Sequence, residues 1–234
     1  MTTWFSNPWA REWSGSGAAP ATREFHRGLP GYAPTPLIEL PVVARELGLG
    51  ELHVKDESSR LGLPAFKILG ASWACHQVME RSPGAELVTA TDGNHGRAVA
   101  RMARHLGTSA TVFVPNAMLH RTTELIESEG AQVHRVDGDY DVAVAAAADF
   151  AAAQGDRELV QDTAWDGYEE VPGWIVEGYD TLLDEIDEEL GRAPDLVVVP
   201  VGVGSLAQAV VSHYRRGGAG GSGVLAVEPD TAAA

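Results

Sequence analysis

One lysine at a predicted loop-to-helix junction is the first residue of this chain that could carry out covalent chemistry. Lys67 lies in the segment 64–71, and Lys55 is the only other lysine among 17 cationic residues. An amine can lose its proton and form a Schiff base, whereas the guanidinium that the chain uses elsewhere cannot. Compositional drift would also explain the scarcity of lysine, so the lysine alone does not decide between chemistry and chance.

A second polar segment, Thr-Asp-Gly-Asn-His-Gly at residues 91–96, follows a predicted strand and opens a predicted helix. It places Asp92 and Asn94 at a helix N-terminus, where anions are favoured. Its two glycines permit a close approach of the backbone to a ligand. Helix capping by Asp92 or Asn94 is the alternative explanation. Three polar residues in one turn are more than a cap needs, which favours a functional role.

A third turn has the residues Gly202, Val203, Gly204 and Ser205 after a predicted strand. Backbone N–H groups of a glycine-rich turn that opens a helix, together with a serine hydroxyl, can cradle a phosphate. The turn is not a P-loop, because the Gly-Lys-Ser/Thr ending is missing, and it lacks the third glycine of a dinucleotide fingerprint. A plain tight turn between strand and helix is the competing interpretation.

Asp162 follows a further predicted strand and could act as a base or as a salt-bridge partner. Taken together, Lys67, the phosphate-type turn and the carboxylates of Asp92 and Asp162 indicate pyridoxal 5′-phosphate. That cofactor is an aldehyde held on a lysine and anchored by its phosphate, and it serves as an electron sink for carbanions. A nicotinamide cofactor would require an acidic residue about 20 positions after its glycines.

The elements that must position these residues alternate along the chain. Strands are predicted at 51–55, 86–90, 110–114, 132–136, 159–161, 196–199 and 224–227, and helices at 41–48, 66–80, 94–106, 118–128, 142–153, 174–190 and 205–215. This alternation predicts an α/β fold of open parallel sheets in three αβα layers. In such folds the site lies at the carboxyl ends of the strands. Residues 1–31 are expected to be irregular, and the acidic run 184–189 is expected to be a solvated helix face.

Composition excludes several classes of partner. The formal net charge of −16 and a pI near 4.8 disfavour nucleic acid and anionic membranes, and they favour a small-molecule substrate. The single cysteine, Cys75, rules out an internal disulfide and predicts a cytoplasmic protein. No apolar run reaches the length of a membrane span, and no signal peptide is expected. The histidines form no ligand-spaced pair, so no metal site is predicted.

With these motifs in their order, the sequence resembles the tryptophan-synthase-β-like (fold type II) family of pyridoxal-phosphate enzymes, and within it the diaminopropionate ammonia-lyases. The matching stretches are residues 25–37, 54–71, 91–97, 160–168 and 202–208. The resemblance implies an amino-acid substrate, α,β-elimination of 2,3-diaminopropionate to pyruvate and ammonia, and a homodimer.

The resemblance also implies a role for each site residue. Lys67 would hold the cofactor as a Schiff base, Asn94 would touch its 3′ oxygen, and residues 202–205 would cup its phosphate. Asp92 and Asp162 would take the Cα proton from opposite faces, so that both D and L substrates react. Lys55, in a predicted strand, is expected to support structure.

Two departures separate this chain from the serine/threonine dehydratases of the same superfamily, which remain an alternative. Dehydratases usually have a small uncharged residue where this chain has Asp92, and serine where it has Ala65. Both differences favour the ammonia-lyase. For Asp92 the chemistry agrees, because a base beside the substrate must be a group that can accept a proton.

The resemblance further implies two domains, a large one from residues 1–91 and 157–234 and a small one, 92–156, inserted in it. Family members continue beyond the strand that ends near residue 227. The C-terminal part of the large domain is therefore expected to be missing, either because the chain is a fragment or because a partner supplies the rest. A truncated, non-catalytic cofactor-binding protein is the third alternative.

Overall fold

The structure, a computed structural model, describes residues 5–7, 9, 21–216 and 221–229. Helices and strands alternate along the chain, as the sequence predicts. The helices are α1 (Ala21–Gly28), α2 (Pro41–Glu46), α3 (Lys67–Arg81), α4 (Asn94–Leu106), α5 (His120–Glu127), α6 (Tyr140–Ala152), α7 (Glu170–Leu190) and α8 (Ser205–Tyr214). The strands are β1 (Leu37–Glu39), β2 (His53–Lys55), β3 (Glu86–Ala90), β4 (Ala110–Pro115), β5 (Gln132–Val136), β6 (Arg157–Leu159), β7 (Leu196–Pro200) and β8 (Gly223–Val227).

Among the described residues, the largest sheet has four strands in the order β5-β4-β3-β6, and all of them are parallel. Its two faces are covered by different helices because side chains alternate across a strand. Leu87 of β3 and Val112 of β4 pack in the core that includes α4, whereas Val88 and Phe113 pack against α6. This arrangement is the three-layer α/β architecture that the sequence predicts.

Two smaller sheets accompany it, of which β7-β8 is parallel and β1-β2 is antiparallel. The antiparallel pair departs from the purely parallel prediction. The four-stranded sheet also crosses the predicted domain boundaries, because β3 and β6 lie outside the segment 92–156, and β3 pairs with β4 inside it as well as with β6. The division into two domains at these positions stays a prediction.

Close packing of α3 against α7 fixes the position of the helix that begins with Lys67. A Cβ atom on Gly178 would lie 2.6 Å from the Cα of Gly70, and one on Gly70 would lie 2.6 Å from the ring of Tyr179. Because neither position tolerates a side chain, glycine at both sites lets the two helix backbones approach each other.

Two predictions are wrong, one for the segment 1–31 and one for the acidic run 184–189. Residues 21–28 form helix α1, although the segment 1–31 was expected to be irregular; most of residues 1–20 lie outside the described residues. The acidic run 184–189 is not simply a solvated face, because Glu185 is buried against Arg60. In both cases the cause is a contact made across the fold, such as the bond between the ring Nδ1 of His26 and the hydroxyl of Thr181 at 2.7 Å. Among the described helices, none is both long and apolar enough to span a membrane.

Candidate active site

Lys67 and Asp162 meet at the centre of the candidate site. Lys67 is the first residue of α3, and Asp162 follows β6. The Nζ atom of Lys67 donates a hydrogen bond to Oδ2 of Asp162 at 2.6 Å, and Asp162 is only 4% exposed. Burial works to raise the pKa of the Asp162 carboxyl, but His95 and Lys67 together hold it below its ordinary value.

His95, the second residue of α4, lies near the same carboxylate oxygen. Its Nε2 lies 2.8 Å from the carbonyl oxygen of Val160, and its Nδ1 lies 3.8 Å from Oδ2 of Asp162. Within the described chain, that buried Nδ1 has no hydrogen-bond partner. Burial lowers the pKa of His95.

The turn between β3 and α4 is held by Thr91 rather than by the predicted polar residues. The Thr91 hydroxyl accepts hydrogen bonds from the backbone N–H groups of Gly93 at 2.9 Å and Gly96 at 3.0 Å. Helix α4 has Gly93 at its N-cap and, in the described part of the chain, no side-chain cap. Capping therefore does not explain Asp92 or Asn94, which are both exposed in this turn. Loss of hydration and the negative charge of Asp162 raise the pKa of Asp92.

The glycine-rich turn between β7 and α8 faces Lys67 across a cavity of about 200 Å³. The cavity is lined by Phe66, Lys67 and residues 200–207, but not by Asp92, Asn94 or Asp162. Gly204 is the N-cap of α8 with φ of +91°, a backbone conformation that favours glycine. The buried hydroxyl of Ser205 makes no well-formed hydrogen bond among the described residues, although it lies near the Tyr179 phenol.

These features fit a phosphate-bearing aldehyde. The cavity combines an amine, a helix N-terminus and a hydroxyl that lacks a partner inside the described protein. A Cβ atom added at Gly202 or Gly204 would meet no described atom within 4 Å, so the space over the turn is open. A second, more open groove of about 460 Å³ lies between α6 and residues 163–165, and none of the predicted site residues lines it.

Gln161 and Tyr179 are two site residues that the sequence reasoning did not single out. The side-chain amide of Gln161 accepts from the backbone N–H of Ala90 at 2.9 Å and donates to the hydroxyl of Tyr140 at 2.8 Å. It therefore ties the end of β3 to α6 beside Asp162. Burial raises the pKa of the Tyr179 phenol well above its ordinary value. Gln161 adjoins a predicted site residue, whereas nothing in the local sequence marks Tyr179.

One cluster outside the site has the composition of a metal centre. The ligand atoms of Asp180, Asp184 and His213 lie within 4.8 Å of one another. Both ring nitrogens of His213 are already bonded to carboxylates, Nδ1 to Asp180 at 2.7 Å and Nε2 to Asp187 at 2.8 Å. We therefore describe this cluster as a buried imidazolium with its counterions.

Comparisons with a family model, with known proteins and with solved structures all indicate pyridoxal-phosphate enzymes. The model of a family described as pyridoxal-phosphate dependent enzyme matches residues 29–234. A diaminopropionate ammonia-lyase of Salmonella typhimurium is 41% identical over 216 residues, which cover 81% of this chain and 53% of that protein. The apo crystal structure of Escherichia coli diaminopropionate ammonia-lyase superposes with a TM-score of 0.83 at 35% identity, covering 93% of this chain and 66% of that one.

The same E. coli enzyme in complex with an aminoacrylate-PLP azomethine reaction intermediate gives a TM-score of 0.79 at 36% identity, covering 87% of this chain and 58% of that one. An L-serine dehydratase/L-threonine deaminase of Mus musculus is less similar, at 29% identity over 208 residues, which cover 84% of this chain and 57% of that protein. The chain spans about half the length of the curated relatives that it matches.

Proposed function

The chain belongs to the pyridoxal-phosphate dependent enzyme family, and from that premise we propose that the protein is a carbon–nitrogen lyase. The proposed reaction is α,β-elimination of D- and L-2,3-diaminopropionate to pyruvate and ammonia. The observation that carries the proposal is the contact between the Lys67 amine and the Asp162 carboxylate beside the glycine-rich turn. The similarity to diaminopropionate ammonia-lyases supports the choice of substrate.

Three groups of residues would hold pyridoxal 5′-phosphate in this proposal. Lys67 would bind its aldehyde, Asn94 would contact its 3′ oxygen, and residues 202–205 would bind its phosphate. The free N–H groups of a helix N-terminus and the Ser205 hydroxyl suit a phosphate. When bound, the cofactor supplies an electron sink for the carbanion formed at the substrate Cα.

Asp162 and Asp92 would accept the Cα proton from opposite sides. The lowered pKa of Asp162 keeps its carboxylate ionised at neutral pH, which a base requires. Asp92 has a raised pKa and lies in a different, more exposed turn. A carboxylate at each of two separate positions suits an enzyme that acts on both stereoisomers.

The experiment is to measure pyruvate and ammonia released from each isomer by the cofactor-loaded protein. We expect Asp92→Asn to lower the turnover of one isomer and Asp162→Asn to lower the turnover of the other. Each decrease should be roughly 10²- to 10⁴-fold, which is the usual contribution of a general base. Asp166→Asn is the matched control, because Asp166 is exposed four residues beyond Asp162. Equal loss of both isomers in both variants would contradict the assignment of one base to each face.

Serine is the comparison substrate that separates the alternatives. Faster turnover of L-serine than of either diaminopropionate isomer would identify a dehydratase-type lyase instead. Cofactor binding without turnover of any of these substrates would identify a non-catalytic cofactor-binding protein. The first outcome would overturn diaminopropionate as the substrate, the second would overturn the lyase proposal, and both would leave the family unchanged.

We also infer a cytoplasmic location and a homodimer. The only cysteine, Cys75, is buried and free, which suits a reducing compartment. The dimer rests on the family resemblance alone. Sedimentation velocity would test it, and a concentration-independent monomer would contradict it.

A further inference from the structure

The phenol of Tyr179 lies behind the glycine-rich turn and outside the cavity that the turn shares with Lys67. Tyr179 belongs to α7, is fully buried and is not among the residues that line the cavity. Its hydroxyl lies near the Ser205 hydroxyl, and neither of the two makes a well-formed hydrogen bond among the described residues. Since buried hydroxyls are rarely left without a bond, we expect a further group to complete this pair.

Packing of the Tyr179 ring fixes where its hydroxyl lies. The ring of Phe66, which lines the cavity, contacts it edge-on with the ring centroids 5.1 Å apart. A Cβ atom added at Gly70 would lie 2.6 Å from its Cε1 atom, so α3 also packs directly against the ring. Tyr179 therefore touches the helix that begins with Lys67, while its hydroxyl lies near Ser205, the first residue of α8.

The hydrogens available on these groups set the direction of each bond. Phosphate oxygens are strong acceptors, and each hydroxyl has one hydrogen to donate. If Ser205 donates its hydrogen to a phosphate, its oxygen can accept a hydrogen bond from Tyr179 but has nothing to donate in return. Burial raises the pKa of the Tyr179 phenol well above its ordinary value, so the phenol keeps its hydrogen at neutral pH. The consistent order of donors is therefore Tyr179, then Ser205, then the phosphate.

We propose that Tyr179 is a positioning residue that donates a hydrogen bond to Oγ of Ser205 and thereby directs the Ser205 hydroxyl hydrogen toward the phosphate of the cofactor. The proposal rests on the proposed function, because it requires the phosphate of pyridoxal 5′-phosphate at the glycine-rich turn. Hydrogen bonds in a chain polarise and strengthen one another, so loss of the first bond should weaken the second. The effect of Tyr179 on the cofactor should therefore depend entirely on the presence of the Ser205 hydroxyl.

Fluorescence titration with two ligands tests this role without any measurement of turnover. Tyr179→Phe removes the hydroxyl and keeps the ring that packs against Gly70. We expect its affinity for pyridoxal 5′-phosphate to fall about fivefold, and its affinity for pyridoxal, which lacks the phosphate, to stay as in the wild type. In a Ser205→Ala background, Tyr179→Phe should cause no further loss. Tyr214→Phe is the matched control, because it also removes a buried phenol hydroxyl, one that is bonded to Asp187.

A second measurement covers the case in which Tyr179→Phe does not fold. Site-specific 3-fluorotyrosine at position 179 keeps the hydroxyl, and its fluorine-19 signal should move with pyridoxal 5′-phosphate but not with pyridoxal. In Ser205→Ala that movement should be lost.

Three results would overturn the proposal: an unchanged affinity of Tyr179→Phe for pyridoxal 5′-phosphate, an equal loss for pyridoxal, or the same fivefold loss in the Ser205→Ala background. A fluorine-19 signal that responds alike to both ligands would also overturn it. If Tyr179→Phe behaves as expected but the wild type releases no pyruvate, the positioning role stands and the proposed lyase function fails. If pyruvate is released and Tyr179→Phe binds the cofactor like the wild type, the lyase function stands and the positioning role fails.

Discussion

Two buried clusters of charged side chains in this molecule each contain one of its two lysines, and they differ in how completely their polar atoms are bonded. Around Glu185, both carboxylate oxygens accept from Arg60 at 2.7 Å, one accepts from the Tyr32 hydroxyl at 2.8 Å, and Lys55 lies 2.8 Å from Oε2. Lys55 also donates to the backbone carbonyl of Thr35. Every charge in this cluster has a partner.

The cluster around Asp162 is incomplete by the same measure. Lys67 is bonded to the carboxylate, but Nδ1 of His95 is buried without a partner in the described residues, and the hydroxyls of Ser205 and Tyr179, which lie near each other, make no well-formed hydrogen bond there. Buried polar atoms are rarely left unbonded unless a ligand or water completes them. The structural lysine and the lysine expected to do chemistry therefore differ in how completely the polar atoms around them are hydrogen-bonded. The rarity of lysine in the chain does not distinguish them.

Replacing each lysine in turn is the strongest test of that distinction. Lys67→Ala should remove the visible absorbance of bound cofactor and lower the proposed turnover by at least ~10³-fold, because the covalent attachment is lost. Its unfolding midpoint in urea should also fall, because the buried Asp162 carboxylate loses its closest cation. Lys55→Ala should be destabilised as well, but the folded protein should bind cofactor normally. The distinction would be broken if Lys55→Ala lost the cofactor or if Lys67→Ala kept it.

Removing a partner from each cluster should separate their contributions to stability. Arg60→Ala leaves the buried carboxylate of Glu185 without its main counterion, and we expect a loss of about 3–5 kcal/mol in the free energy of unfolding. Asp162→Asn keeps the shape of the side chain and should cost less than about 1.5 kcal/mol, because the cluster was incomplete before the change. Urea denaturation measures both. A larger cost for Asp162→Asn than for Arg60→Ala would contradict the comparison.

Local patterns predicted most of the fold, because short β-branched strands and helical spacing are properties of neighbouring residues. The predicted strands 86–90 and 132–136 coincide with β3 and β5, and the predicted helix 94–106 with α4. Helix α1 was not predicted, because His26, buried against Thr181 and the carbonyl of Leu69, ties it to partners remote in sequence.

The grouping of three candidate site features was predictable for the same reason. Strand-to-helix turns in an α/β fold share one edge, so the sequence alone groups Lys67, Asp162 and the turn 202–205, whereas their catalytic and binding roles stay predictions. The partner of Lys55 could not be found, because Glu185 lies in an acidic run that has the composition of a solvated surface. Nor does any local pattern mark Tyr179 or the orientation of His95.

In a third cluster, both ring nitrogens of His213 are bonded to carboxylates. We therefore expect this cluster to stabilise the fold, as the cluster around Glu185 does. Burial opposes its charge, but hydrogen bonds to Asp180 and Asp187 raise the pKa of His213 to about 9. Its contribution to stability should be fully present below pH 6.5, the ordinary value, and lost as the pH rises through 9. We expect a decrease of about 3 kcal/mol in the free energy of unfolding over that interval. The pH dependence should be absent in His213→Gln; an identical pH profile for that variant would rule out the cluster as its source.

Ser205 offers the finest test, because removal of an unbonded hydroxyl should have opposite effects on stability and on ligand binding. Ser205→Ala removes a buried polar atom that lacks a partner in the described protein, so the free energy of unfolding should stay level or rise by about 1 kcal/mol. The affinity for pyridoxal 5′-phosphate should fall about tenfold, or 1.4 kcal/mol, because one hydrogen bond to a charged group is lost.

The matched control is Ser222→Ala, since the Ser222 hydroxyl is also buried and likewise unbonded in the described chain, but it does not line the cavity. Both variants should have the same effect on urea denaturation, and only Ser205→Ala should weaken the cofactor in a fluorescence titration. If the two variants bound the cofactor equally well, an unbonded buried hydroxyl would not be a marker of the ligand site. The contrast between the two clusters would then have to rest on Lys67, Asp162 and His95 alone.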